Sequence, residues 1–239
     1  NFTVNNLTAI DQSTDTCTNN FCTLNPLDFG VGSNNATLSE GNLKGVAGST
    51  VWRHSHGTLG VTSGKWYWEG KVSESSGSAG YLFGFCDQQY DTTDDPNSGS
   101  PNKKFYGRQS NVFYTPTGKT DNFFPDTSTG DILMVALDLD NNKIWFGNNG
   151  TWQNTNGTAG DTANASTTLN SSRPDATSVT LDSSGANVYV PIMASYNTGF
   201  VECNFGSPPY SISSGNSDAN GYGNMEYAIP SGYYVLNSK

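Results

Sequence analysis

The chain has 239 residues, of which only 13% are charged, and its formal net charge is −10 at pH 7. This length is sufficient for one large β-sandwich with a buried core. The negative charge repels phosphate backbones and anionic lipids, so we expect no nucleic-acid binding and no membrane insertion. No apolar run approaches bilayer-spanning length, and the first ten residues lack the basic and apolar regions of a signal peptide. Because residue 1 is Asn, we expect a processed product or part of a longer polypeptide.

Residues 1–45 are polar and turn-rich, and they are predicted to form an N-terminal linker and arm. Strand-like segments then follow at regular intervals, at residues 50–53, 57–61, 65–72, 81–86, 104–107, 111–114, 130–152, 188–194 and 199–206. No stretch of ten residues combines a helical apolar period with helix-forming residues. We therefore predict an all-β chain. Residues 46–206 are expected to form an antiparallel two-sheet β-sandwich, and residues 207–239 an irregular C-terminal arm that returns to it.

Residues 65–72 are predicted to form a strand with two different faces. Trp66, Trp68 and Val72 alternate with the remaining side chains and are expected to face the core. The opposite face carries Lys65, Tyr67, Glu69 and Lys71, which we expect to face water. Trp145 is also expected in the core, whereas Trp52 and Trp152 are less clearly assigned to it.

Residues 130–152 are predicted to form a hairpin. An apolar strand ends at Asp138, the Asp140-Asn141-Asn142 segment tolerates the left-handed backbone of a turn, and a second strand carries Trp145. Asp138 and Asp140 place two carboxylates on one face. Their position at a turn favours local backbone hydrogen bonding over either a calcium loop or a catalytic pair.

The cysteines and histidines give no strong metal or catalytic pattern. Cys17 and Cys22 could close a small loop, but buried or free thiols are the preferred interpretation for all four cysteines, which include Cys86 and Cys203. His54 and His56 share one face of an extended strand. A two-histidine metal site is possible, although metal sites need three or four ligands and packed or surface histidines are favoured.

Four pieces of the sequence follow one another along the predicted sandwich: GKWYWE at residues 64–69, YLFGF at 81–85, GDILMVALDLDNNKIWFGNNGTW at 130–152, and the VYVPIMASY and GFVECNFG pair at 188–206. In this order they resemble the SPRY family of concanavalin A-like β-sandwiches. The resemblance covers roughly residues 48–206. It implies a jelly-roll sandwich that binds proteins through loops at one end, and it implies no catalysis.

The two ends of the chain carry a second, narrower resemblance. The opening FTVNNLTAIDQSTDTCTNNFCTLNPL and the closing IPSGYYVLN are similar to segments that flank the sandwich in SPRY-containing virion proteins of bacteriophages, particularly tail-fibre and other structural proteins. This resemblance implies a virion component on the surface of an extracellular particle. Its partners would be virion subunits or a host cell-surface protein or glycan, and we expect a homo-oligomer or part of a larger assembly.

The candidate binding residues lie mainly in a long acidic loop. Aromatic and carboxylate side chains together can bind glycans or calcium, and this loop carries Tyr90, Asp91, Asp94 and Asp95. The possible calcium ligands are Asp87, Asp91, Asp94 and Asp95, and no other cofactor is expected. Further binding candidates are Tyr106, Arg108 and Trp152. The predicted contact surface comprises the loops 87–104, 115–128 and 153–178.

Three functions therefore remain open. The leading hypothesis is a non-enzymatic virion module, serving as a fibre, appendage or surface decoration. The second is a calcium-assisted, lectin-like glycan-binding module. The third is a glycoside hydrolase, which would require two of Glu69, Asp138, Asp140 and Glu202 to line a groove about 5 to 10 Å apart.

Overall fold

A computed structural model describes residues 15–29, 36–73, 79–89, 105–115, 118–121, 123–152, 177–178 and 188–239. The strands in these ranges are β1 (Thr37–Ser39), β2 (Lys44–Val46), β3 (Arg53–His56), β4 (Lys65–Val72), β5 (Gly80–Asp87), β6 (Phe105–Gln109), β7 (Val112–Thr115), β8 (Gly118–Thr120), β9 (Ile132–Asp138), β10 (Lys143–Asn148), β11 (Thr151–Trp152), β12 (Thr177–Ser178), β13 (Tyr189–Tyr196), β14 (Val201–Asn204) and β15 (Tyr234–Val235).

The strands form two sheets. The nine-stranded sheet has the order β1-β2-β14-β4-β9-β10-β11, with β12 paired to β10 and β15 paired to β4. The six-stranded sheet has the order β3-β13-β5-β6-β7-β8. All strand pairs are antiparallel except β15 with β4. The predicted all-β, antiparallel two-sheet sandwich is therefore confirmed.

The main core lies between the two sheets. Trp68 and Val135, which are paired in register on β4 and β9, contribute side chains from the nine-stranded sheet. Phe83, Phe85 and Met193 contribute from the six-stranded sheet. Burying a side chain of this size stabilises the fold by about 1.5 to 3 kcal/mol. The alternation in β4 thus correctly predicted that Trp68 lies in the core.

The predicted hairpin is also confirmed. Lys143 on β10 pairs with Asp138 on β9, and the pairing continues to Asn148 and Leu133. Asn142 adopts a φ of 55°, which Asn tolerates because its short polar side chain can bond locally. The Asp138 carboxylate accepts hydrogen bonds from the backbone N–H and the side-chain amide of Asn141, at 3.0 and 2.9 Å. Asp138 is therefore a turn-stabilising residue.

The expectation that the second face of β4 meets water is wrong for two of its residues. Tyr67 and Glu69 are fully buried beneath the C-terminal arm. A second core fills this side of the nine-stranded sheet, with Met225, Tyr233 and Val235 from the arm packed against Tyr67. The charges of Lys65 and Lys71 remain partly exposed, so only the middle of this face is covered.

The N-terminal segment covers the open edge of β3. The backbone N–H of Asn25 donates to the carbonyl of His56 at 2.8 Å, and Leu24 forms an isolated bridge with Gly57. The carboxylate of Asp28 accepts from the His56 backbone N–H at 3.3 Å and lies 2.8 Å from its Nδ1. An uncovered edge strand invites pairing with other chains, and this segment prevents that here.

The same N-terminal segment also meets the end of the C-terminal arm. The Cys22 backbone N–H donates to the carbonyl of Leu236 at 2.9 Å, and the Ser238 backbone N–H donates to the carbonyl of Asn20 at 3.0 Å. Phe21 and Asn237 form the bridge between these two contacts. The two arms are therefore paired with each other as well as packed on the sandwich.

The cysteines are all free, in agreement with the preferred interpretation of the sequence. Cys22, Cys86 and Cys203 are buried, whereas Cys17 is exposed. His54 is buried and pairs in register with Ala194 of β13, which makes it a packed histidine. Within the described ranges, no group of three or more His, Cys, Asp or Glu residues could hold a metal ion.

Candidate functional site

Two loops join at one end of the sandwich, where β3 begins. They are the connection between β2 and β3, at residues 47–52, and the turn between β13 and β14, at residues 197–200. The Gly48 backbone N–H donates to the carbonyl of Asn197 at 3.1 Å, and the Asn197 N–H donates to the carbonyl of Ser49 at 2.8 Å. These backbone bonds hold the two loops together as one surface.

A buried hydroxyl group reinforces this junction. The Oγ of Ser195 accepts a hydrogen bond from the Ala47 backbone N–H at 2.9 Å and donates one to the carbonyl of Gly199 at 2.6 Å. Ser195 is fully buried, so these bonds are shielded from water and contribute to the rigidity of both loops. The junction is therefore a preorganised element.

Val51 lies exposed on this surface. This residue is 51% exposed, whereas the next residue in the chain, Trp52, is buried. The Trp52 ring lies 5.3 Å from that of Tyr196, and a Cβ placed on Gly80 would come within 3.0 Å of the indole. Val51 is thus an exposed apolar residue in a loop that backbone hydrogen bonds hold in place. We call residues 47–52 with Tyr196 and Asn197 the Val51 surface.

Most of the predicted acidic cluster lies outside the described residues, because Tyr90, Asp91, Asp94 and Asp95 all fall there. Asp87, the last residue of β5, lies within the described part of the chain. It is buried, and its carboxylate accepts a hydrogen bond from the Gln89 backbone N–H at 2.8 Å. This carboxylate therefore caps the turn that follows β5.

Arg108 does not form part of an exposed surface. Its side chain is fully buried, and it donates from Nε to the Ser110 carbonyl and from Nη2 to the Pro125 carbonyl, both at 2.8 Å. The guanidinium also lies 4.7 Å from the ring centroid of Phe124. Burial lowers the pKa of Arg108 to about 10, which still leaves it charged at neutral pH. Arg108 anchors the base of the segment after β8.

Trp152 is also placed in the interior. It packs in the second core, where its ring meets that of Tyr67 edge-on at 6.2 Å. Its side chain is therefore unavailable to a partner in this structure. Tyr106 lies on β6 opposite Phe85, and its side chain falls outside what the structure describes.

The four acids considered for hydrolysis are each engaged in a different contact. Glu69 is fully buried and accepts hydrogen bonds from Tyr67 Oη at 2.6 Å and from two backbone N–H groups of the C-terminal arm. Asp140 accepts from the Gly64 backbone N–H at 2.7 Å, and Glu202 lies 4.0 Å from Lys44 Nζ. None of these contacts joins two of the four carboxylates to each other.

The pKa values of these acids follow from their surroundings. Burial raises the pKa of Glu69 above its usual value, and the hydrogen bonds from Tyr67 and the arm oppose this only in part. Burial would also raise the pKa of Asp138, but hydrogen bonds from Asn141 and Lys65 outweigh it and lower that pKa. The Asp138 carboxylate lies 3.1 Å from Lys65 Nζ. These shifts are consistent with structural roles.

The fold agrees with a comparison of the sequence with known families. Residues 65–186, about half of the chain, match the family model described as the SPRY domain. The chain belongs to the SPRY family. SPRY domains are typically non-catalytic modules that mediate protein–protein interactions. The described part of this SPRY chain contains no helix of the length and apolarity needed to cross a membrane.

Solved structures of other SPRY domains resemble this one. The SPRY domain of human HERC1 has 15% sequence identity, with 75% of this chain and 96% of that chain covered and a TM-score of 0.48. The TRIM65 PSpry domain has 13% identity, with 77% and 92% covered and a TM-score of 0.49. No curated protein matches the sequence.

Sequence reasoning missed the Val51 surface. The only local signal was an apolar Val between Gly-Ser-Thr and Trp, in a segment interpreted as the start of a strand. Nothing in that segment indicated that residues 47–52 would bond to the turn at Asn197, about 150 residues later.

Proposed function

We propose that this chain is a non-enzymatic interaction module of a bacteriophage virion, located on the particle surface. In this role the sandwich is a rigid support, and its partner is a neighbouring virion subunit or a host surface protein or glycan. The coarse part of this proposal, protein binding, rests on membership of the SPRY family.

The observation that carries the proposal is the exposed Val51 on a loop junction fixed by backbone hydrogen bonds. Exposing an apolar side chain is unfavourable in a free monomer, and binding a partner removes that cost. Because Asn197 and Gly48 already fix the loops, little conformational entropy is lost when a partner binds. The Val51 surface is thus suited to forming the centre of a small interface.

The virion setting is supported by the resemblance of both ends of the chain to segments that flank SPRY modules in phage structural proteins. The acidic net charge of −10 is compatible with a particle surface exposed to solvent. The predicted loops 87–104, 115–128 and 153–178 stay in the proposal as further contact regions of the module. The first of them begins after Asp87, which pairs with Tyr189 at the end of β5 away from Val51.

The test is a pair of substitutions introduced into the particle that carries this chain. Val51→Asp places a charge at the proposed contact, and Leu27→Asp makes the same change at the other strongly exposed apolar residue of the described part, beyond the opposite end of β3. We expect Val51→Asp to lower host adsorption or incorporation into particles, and Leu27→Asp to leave both unchanged. Normal adsorption and assembly of the Val51→Asp particle would show that this surface has no such role.

A further inference from the structure

A groove lies at the end of the sandwich opposite Val51. We call it the indole groove. It is lined by residues 59–63 of the connection between β3 and β4, together with Trp66, Leu236 and Asn237, and its volume is about 280 Å³. The groove therefore lies between one loop of the sandwich and the end of the C-terminal arm. None of its residues belongs to the Val51 surface.

The indole of Trp66 is a fixed, half-exposed wall of this groove. Its Nε1–H donates to the Ser63 carbonyl at 2.8 Å. A Cβ placed on Gly64, which has a φ of 88°, would lie 3.4 Å from Nε1, so the backbone packs closely beside the ring. Because the N–H group is already bonded, the indole offers a ligand only its apolar surface.

The backbone groups near the groove are already occupied. The Val61 N–H and carbonyl both pair with Tyr189, at 2.8 Å each, and the Leu236 carbonyl accepts from Cys22. A peptide that binds as an added strand requires unpaired backbone groups in its site. The positions of Val61 and Leu236 therefore disfavour an extended peptide as the occupant.

The remaining polar groups are neutral side chains. Thr62 and Ser63 are exposed and contribute hydroxyls. The Asn237 carboxamide accepts from the Lys239 backbone N–H at 2.9 Å and donates to the Val235 carbonyl at 3.4 Å, which leaves its second N–H and the second lone pair of its oxygen for a ligand. All eight lining residues are within the described ranges, and none of them carries a charge. Together with the net charge of −10, this lining favours an uncharged ligand over an anionic one.

From these observations we infer that the indole groove binds a neutral pyranose ring, by itself or as a unit of a glycan. The apolar face of the ring lies against Trp66 and the aliphatic floor formed by Leu59 and Val61. The ring hydroxyls exchange hydrogen bonds with Thr62, Ser63 and Asn237. This site needs no calcium, and it is independent of the interaction proposed for the Val51 surface.

The test is a titration of the full chain, labelled for NMR, with methyl glucoside, methyl galactoside and methyl N-acetylglucosaminide. We expect at least one of these sugars to give saturable shifts at the Trp66 indole and at residues 59–63, with a dissociation constant of about 1 mM. Sodium glucuronate, which adds a negative charge to the same ring, is expected to give no saturable shifts.

Three variants separate binding from folding. Trp66→Ala is expected to weaken sugar binding by about tenfold or more. Ser63→Ala keeps the carbonyl that holds the indole, removes only the rim hydroxyl, and is expected to weaken binding several-fold. Val51→Asp is expected to bind sugar as the unchanged chain does, since it alters the opposite end.

Two results would overturn the inference. One is the absence of saturable shifts with all three neutral sugars at about 100 mM, a hundred times the expected dissociation constant. The other is saturable binding that Ser63→Ala and Trp66→Ala both leave unchanged, because the sugar would then occupy a different place. An apolar peptide that shifted the Trp66 indole while the sugars did not would point to a peptide site instead.

Discussion

Glu69 accepts a hydrogen bond from the backbone N–H of Tyr227 at 2.8 Å, across 158 residues of sequence. Its second carboxylate oxygen accepts from the Glu226 N–H, also at 2.8 Å. Glu69 lies in the middle of β4 and is fully buried, so this one side chain joins the centre of the sheet to the C-terminal arm.

Replacing Glu69 with Gln is therefore expected to destabilise the fold. Glutamine has the same shape, but one acceptor oxygen becomes an NH₂ group that faces a backbone N–H. We expect the free energy of unfolding to fall by about 1 to 3 kcal/mol. Amide exchange at residues 225–227 should also accelerate. Urea unfolding and hydrogen exchange measure the two effects.

The matched control is Glu202→Gln. Glu202 is half-buried on β14, and its ion pair with Lys44 is long, at 4.0 Å. Replacing Glu202 with Gln should lower the free energy of unfolding by less than about 1 kcal/mol. Equal losses for the two variants would contradict the anchoring role of Glu69.

The raised pKa of Glu69 determines how its contribution to the stability of the fold changes with pH. Because its pKa is raised in the folded state, the folded chain holds this proton at pH values at which the unfolded chain has released it. The contribution of Glu69 to stability should therefore fall as pH rises from its ordinary value of 4.5 through the folded pKa. The difference in unfolding free energy between the unchanged chain and Glu69→Gln, measured across this window, should decrease. A difference that increases would show that the shift has the opposite sign.

Asp138 should behave in the opposite way. Its folded pKa is lowered, so its contribution is fully present above the ordinary value of 3.8 and is lost as pH falls through the folded pKa. Asp138→Asn removes this dependence and weakens the contact with Lys65. Unfolding measured between pH 2 and 5 should therefore be less pH-dependent in the variant. If the unfolding free energies of the unchanged chain and of Asp138→Asn changed equally with pH, Asp138 would make no pH-dependent contribution to stability.

Arg108→Met should destabilise the fold more than the loss of a surface charge does. Methionine fills much of the space of the arginine stem but leaves the carbonyls of Ser110 and Pro125 without their donors. We expect the free energy of unfolding, measured by thermal or urea unfolding, to fall by about 2 to 5 kcal/mol. Lys119→Ala is the comparison, because Lys119 is exposed and forms an ion pair with the exposed Asp121. This substitution should lower the free energy of unfolding by less than about 1 kcal/mol. A similar small loss for Arg108→Met would mean that those carbonyls find other donors.

Only one cysteine should react readily in the folded chain. Burial raises the pKa of Cys22 to about 11 and raises those of Cys86 and Cys203 well above their usual values. Cys17 is exposed, so iodoacetamide at pH 8 should modify it quickly and leave the other three intact until unfolding. Mass spectrometry of timed samples measures this, and Cys17→Ser should abolish the fast phase. Rapid modification of Cys22 in that variant would contradict its burial.

The parts of the fold that were predictable are those with local signals. The hairpin from β9 to β10 was foreseeable because a strand that is apolar on both faces and an Asp-Asn-Asn turn both lie within twenty residues. The same applies to Trp68, whose face of β4 is apolar over several residues.

The buried state of Tyr67 and Glu69 was not predictable from their own segment. The strand pattern placed them opposite the core, and the arm that covers them lies about 150 residues later in a segment rich in Gly, Ser and Asn. Its apolar residues, such as Met225 and Tyr233, follow no regular period, so they indicate no particular partner surface. The burial of Arg108, a binding candidate, was not predictable for a related reason. An arginine side chain is seldom fully buried, and one of the two carbonyls that accept its hydrogen bonds, that of Pro125, lies 17 residues later.

The pairing of Phe21 with Asn237 brings the two flanking segments of the sandwich within one strand spacing of each other, about 5 Å. A module whose first and last segments lie side by side can be inserted into a loop of another protein without separating the two ends of that loop. The same geometry makes a circular permutant feasible. A short linker would join the paired segments near Asn20 and Ser238, and new termini would be placed in another loop.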